Sequence, residues 1–151
     1  MRIVGRAPRS VKAIVLASAL LALPGCFWRS YGARIAMHTS LLVSMAHKGV
    51  DLVRARAFAP ENLPELHYPL ERAAAYAQAA RRHAGDRPPA SLAAFETLLV
   101  RYATFCQVAD DARRTGPTRG GRDALRRAEH DVRDAARAVR SALAREGRGA
   151  G

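Results

Sequence analysis

Residues 123–147, DALRRAEHDVRDAARAVRSALAREG, set an apolar side chain every three or four positions: Leu125, Ala128, Val132, Ala135, Val139 and Ala142. A helix turns once in about 3.6 residues, so these six fall on one line along its surface while charged residues fill the rest. A stripe of that kind must be covered by other helices. Three further stretches supply them. The first carries Ile35, His38, Leu42, Met45, Gly49 and Leu52, supported by Leu41 and Val53. The second has Leu63, Leu66, Leu70, Ala73, Ala77, Ala80 and Ala84, and the third Leu92, Phe95, Leu99, Tyr102, Cys106 and Ala109.

Proline and glycine separate the stretches at Ala59-Pro60-Glu61-Asn62, Gly85-Asp86-Arg87-Pro88-Pro89 and Gly116-Pro117-Thr118-Arg119-Gly120-Gly121. Four seams of similar length joined by short loops predict an all-α fold, an antiparallel up-down-up-down four-helix bundle. The alanine-rich seams of the second and fourth helices allow close approach, and the first and third supply the bulk. Asn62 with Glu65 three positions later reads as a capping box, and Ser91 as the cap of the third helix. Pro69 predicts a kink or a restart inside the second helix, and Gly85 and Gly147 mark the ends of the second and fourth. Leu99, on the bulky third seam, is expected to be buried in the core.

Composition agrees. The chain has 151 residues, room for one domain of ordinary size, and 49% of them are hydrophobic, too many for a disordered chain. Aromatics make up only 6%, while 32 alanines and 23 arginines stand against 2 lysines. Alanine, leucine, arginine and glutamate all favour helix, which excludes a β-sandwich or barrel.

The N-terminus has a different character. Met1–Lys12 carries Arg2, Arg6, Arg9 and Lys12 without an acid, and an 11-residue apolar run, AIVLASALLAL, covers residues 13–23. At about 1.5 Å per residue it spans about half of a bilayer core, which suits a secretory signal better than a permanent membrane helix. The run closes on Leu23-Pro24-Gly25-Cys26. That ending resembles the lipobox of bacterial lipoproteins, with Pro24 where alanine or serine is usual. The resemblance implies cleavage before Cys26 and acylation of its thiol and its new amino terminus. It also divides the chain into a signal peptide (1–25), a helical domain (26–147) and a frayed tail (148–151). Phe27 rather than aspartate follows Cys26, which by the same resemblance implies the outer membrane of the cell envelope, facing the periplasm. Phe27, Trp28 and Tyr31 suit either the membrane interface or the start of the core. With Cys26 acylated, Cys106 has no cysteine to pair with.

Chemical motifs are sparse. Glu129–His130 and Glu65–His67 lack the Glu-x-x-His spacing of di-iron bundles, and no Cys-x-x-Cys-His or His-x-x-x-His occurs. Nothing has the arrangement of a catalytic triad, and Gly120-Gly121 lacks the lysine of a phosphate loop. No enzyme, metal or cofactor is expected. A small-ligand, haem or metal carrier, built on His38, Tyr102 and Cys106 in the core, is the alternative to a non-enzymatic scaffold that binds a protein partner.

Charge is the strongest remaining signal. The chain carries a net charge of +12, of which the acid-free segment before residue 13 contributes four. From Arg113 onward, eleven arginines face five acids, a net of +6. Such a balance suits nucleic acid, but an exported, lipid-anchored chain never meets it. Anionic lipid head groups or an acidic envelope partner are the polyanions within reach. If the helices alternate in direction, Arg137, Arg140 and Arg145 come beside Arg29 and Arg34 near Cys26 and face the membrane. Spacings such as Glu129–Arg133 and Asp123–Arg127 also fit pairs that merely stabilise the helix.

Overall fold

A computed structural model of the chain describes the backbone of residues 10–116 and 118–149 and the side chains of residues 30–116 and 118–147. Four helices follow in order: α1 (Ser10–Arg54), α2 (Asn62–Ala84), α3 (Ala90–Thr115) and α4 (Arg119–Gly149). The described residues are all-helical and contain no strand. The chain divides into two compact units, Met1–Gly32 and Ala33–Gly151. The second is a helical bundle in which α2 packs along α3 and α3 along α4.

The seam of α4 is buried at every position read from the sequence, with Ala136 added. On α2, Leu66, Ala73, Ala77 and Ala80 are buried as expected, and Pro69 is buried beside the partly covered Leu70. The helix runs on through Pro69 without restarting. On α3 the buried face is Leu92, Phe95, Leu98, Tyr102, Phe105, Cys106 and Ala109. Leu98, not Leu99, is the fully covered aliphatic. Leu99 is partly exposed and lines a surface groove with Ala74, Gln78 and Val100. The seam of α1 is displaced by one residue at alternate positions. Ile35, Leu42 and Gly49 face inward, but Thr39, Ala46 and Val53 replace His38, Met45 and Leu52 between them, and Leu41 is exposed.

Two caps differ from the sequence reading. Asn62 does not cap α2: its side-chain oxygen reaches back to accept from the Ala59 amide at 2.8 Å and ties the loop. Glu65 leaves the helix end to accept from Lys48 Nζ of α1 at 2.6 Å. Ser91 lies inside the first turn of α3, and its backbone amide donates to Glu146 Oε1 of α4 at 2.8 Å. A carboxylate at a helix N-terminus satisfies an amide that has no partner within the helix. Gly85 ends α2 with φ of 59°, as its position suggests. Gly147 does not end α4, which continues to Gly149; Ala150 and Gly151 lie outside the described residues.

A close approach lies between α1 and α3. A Cβ on Gly49 would stand 2.9 Å from Phe105 Cζ and 3.5 Å from Leu66 Cδ1. Phe105 is fully buried, so its ring would have to shift within packed surroundings to admit a methyl group. In a free helix glycine is about 0.5–1 kcal/mol worse than alanine, so Gly49→Ala would stabilise; here thermal melting should show a loss instead. Leu98→Ala should cost about 2–5 kcal/mol in denaturant titration through lost burial and a cavity, and Leu99→Ala clearly less. Equal losses at 98 and 99 would mean that the buried face of α3 is wrongly placed.

Candidate functional site

Pro69 offers no amide hydrogen to the helix, so the carbonyl of Glu65, four residues back, lacks its ordinary donor. One turn before Pro69, two side chains of α3 reach the backbone of α2. Tyr102 donates its hydroxyl to the Leu66 carbonyl at 3.0 Å, and the Cys106 thiol approaches the same oxygen at 4.0 Å. A carbonyl has two lone pairs and can serve both. Burial raises the Tyr102 phenol far above its ordinary range, with the neighbouring Cys106 adding to the rise. Burial likewise pushes the Cys106 thiol up to about 12, against smaller opposing effects from Tyr102 and the backbone. A thiol held protonated is a poor nucleophile and a poor metal ligand. Both groups are buried in the core.

His38 is elsewhere. Its ring lies 5.4 Å from that of Tyr76 and 6.3 Å from that of Phe95. Phe95 sits two turns before Tyr102 on α3, about 10 Å away at 1.5 Å per residue. The core therefore does not gather His38, Tyr102 and Cys106 around one point. Among the described residues no three His, Cys, Asp or Glu side chains form a metal-binding group. His38 instead forms the wall of an open cleft of about 540 Å³ between α1 and α2, with Arg34, Met37, Arg72 and Tyr76. Its Nδ1 is buried and accepts or donates no hydrogen bond among the described residues. Burial, then the positive fields of Arg72 and Arg34, hold the imidazole below its ordinary value.

The arginines named from the sequence differ in their surroundings. Arg34 faces α2 across this cleft. Arg137 is held by Asp134 at 2.6 Å, one turn back on its own helix. Arg140 and Arg145 are exposed, and the side chains of Cys26 and Arg29 lie outside the described residues. Tyr31 is buried, and the side chains of Phe27 and Trp28 are likewise outside them. Arg133 pairs with Glu129 at 2.9 Å, as the four-residue spacing suggests. Glu129 has only 12% of its side chain exposed and also accepts from His47 Nδ1 at 3.2 Å, tying α4 to α1. Among the described residues no helix is long and apolar enough to cross a membrane.

A second cationic feature involves two residues that sequence reading passed over, Arg54 and Arg56. They meet Arg122 and Arg126 of α4 around a cavity of about 320 Å³ floored by Val50, Val53 and Leu125. The chain leaves α1 through a Schellman turn: the Ala57 amide donates to the Leu52 carbonyl at 2.9 Å and the Arg56 amide to Val53 at 3.1 Å. Arg56 thereby takes the left-handed position, at φ of 56°, where glycine is preferred. The backbone cost there is about 1–2 kcal/mol for a residue with a Cβ. Its side chain also lines the adjoining cavity with Phe58, Ala112, Arg113 and Gly116. The sequence signal was available: Arg-Ala-Arg at residues 54–56 directly follows the last seam residue, Val53.

No protein-family model, no curated protein and no solved structure matches the chain, so its sites are read from their own chemistry.

The His38 environment sets a pH dependence. Protonation is easier in the unfolded chain than in the fold, so the His38 contribution to stability is intact above about pH 6.5 and declines as pH falls below it. Urea midpoints at pH 7.5 and 5.5 should differ less for His38→Phe than for the wild type. An identical drop in both would show that His38 is not the group responsible.

Proposed function

We propose that the chain is a lipid-anchored protein of the bacterial envelope whose helical domain works by binding a protein partner and has no catalytic role. The observation that carries this reading is Leu23-Pro24-Gly25-Cys26, placed directly after a basic segment and an apolar run too short to be a comfortable membrane span. Acylation at Cys26 anchors the chain after cleavage, and with Phe27 behind it the destination is the outer membrane. Anchoring by more than one acyl chain is stable without any membrane helix.

The domain is an antiparallel up-down-up-down bundle in this reading. Contacts near opposite ends of successive helices support it. Lys48, late in α1, pairs with Glu65, early in α2. Arg81, late in α2, pairs with Glu96, early in α3, and Ser91, early in α3, meets Glu146, late in α4. The loops after α1 and α3 then share one end, where Phe58 and Gly116 line a common cavity. That end is the surface offered to the partner. The reactive groups of the core favour binding over chemistry, since Cys106 and Tyr102 are buried on the Leu66 carbonyl. Arg140 and Arg145 add attraction for anionic head groups, about 1 kcal/mol each close to a charged surface.

Radiolabelled palmitate supplied to cells making the protein should appear in the wild type. Cys26→Ser should carry no label and migrate as the longer precursor, because only cysteine supplies the thiol for acyl transfer. A wild-type chain that never takes up palmitate would end the lipoprotein reading.

A further inference from the structure

We propose that the cavity between the end of α1 and the start of α4 binds a phosphate monoester carried on a small apolar body, held by Arg54, Arg56, Arg122 and Arg126. The site does not depend on lipid anchoring and lies outside the bundle core.

The first support is local charge. Four guanidinium groups border one cavity, and no carboxylate lines it. Arg54 has a partner, Asp51, but at 3.8 Å and in an exposed position. Among the described residues no carboxylate pairs with Arg56 or Arg126. Some arginines outside the cavity are neutralised locally: Arg113 meets Asp110 at 2.9 Å, Arg114 meets Asp110 at 2.8 Å, and Arg133 and Arg137 each meet an acid one turn back. Arg56 and Arg126 thus bring positive charge to one cavity, and a bound anion offsets the repulsion between them.

The second support is the choice of residue at position 56. The Schellman turn would form with less strain on glycine, yet it holds an arginine at positive φ whose side chain lines the cavity. The third is shape. Guanidinium groups match phosphate oxygens with paired hydrogen bonds. A volume of about 320 Å³ accepts one compact anion with a small attached group, and the floor of Val50, Val53 and Leu125 favours an apolar one. A polyacidic peptide needs a longer groove than this.

The test is calorimetric titration of the full chain in neutral detergent with phenyl phosphate and with inorganic phosphate. Phenyl phosphate should bind about tenfold tighter than inorganic phosphate by covering part of the apolar floor, and binding should weaken as salt is raised. Arg56→Gly should weaken phenyl phosphate binding at least about tenfold while raising the melting temperature, because it relieves the positive φ. That opposite pair of effects separates loss of a ligand group from loss of the fold. Arg126→Gln should weaken binding by a similar factor, and Arg137→Gln, whose side chain is engaged by Asp134, should leave it unchanged. Displacement of phenyl phosphate by phosphatidate-containing vesicles identifies a lipid head group as the source of the phosphate. Displacement by soluble phosphomonoesters alone identifies a free metabolite, and both results support the site. Absence of phenyl phosphate binding, wild-type binding by both Arg56→Gly and Arg126→Gln, or tighter binding of an oligoglutamate peptide would overturn it.

Discussion

The missing side chain at Gly49 fixes the spacing of the bundle. Only a bare Cα lets the phenyl ring of Phe105 lie directly against α1, with Leu66 closing the third side. Beside Phe105 on α3 stand Tyr102, one turn earlier, and Cys106, which meet the Leu66 carbonyl near the buried Pro69. One layer thus joins three helices through a close approach and a buried hydroxyl. The alanines of α2 and α4 require large groups opposite them, and the rings of Phe95, Tyr102 and Phe105 supply that volume. A different residue at 49 would displace Phe105, and the Tyr102 hydroxyl would then be carried away from its acceptor. Buried polar groups tolerate that poorly.

Four helices and the loops between them were legible because proline and glycine interrupt a regular step of three and four. The seam of α4 was read at every buried position but Ala136, since its polar residues leave little choice of apolar line. Where apolar residues sit side by side, periodicity alone does not choose between them. Leu98 and Leu99, or Leu41 and Leu42, differ by about 100° around the helix, and the winner depends on which neighbour lies opposite. On α1 the seam passes through Thr39, Ala46 and Val53 in preference to the larger neighbours His38, Met45 and Leu52. The caps failed for a related reason. Asn62 and Ser91 have suitable side chains, but Glu146 approaches from another helix and supplies the acceptor that α3 needs.

The sites were less legible than the fold. Reading charge by segment drew attention to the arginines of α4, of which Arg133 and Arg137 are paired with acids of their own helix. The four that gather around one cavity come from two helices and a turn, and no linear window contains them. Arg56 is the clearest case. Its left-handed backbone follows from the hydrogen bonds of a helix ending, and nothing in the letters marks an arginine as occupying a glycine position. Similarly, His38 shared a seam with no indication that its ring would turn toward Tyr76 and the cleft.

The link from Ser91 to Glu146 bears on the order in which the molecule assembles. The amide and its acceptor are separated by 55 residues, so the first turn of α3 is left without this partner until α4 has been synthesised and has docked. Helices whose ends are incompletely bonded fray and reform rapidly. The carboxylate of α4 therefore acts as a late fastener. Until it arrives, α3 remains open to rearrangement, and afterwards its start is fixed against the far end of its neighbour.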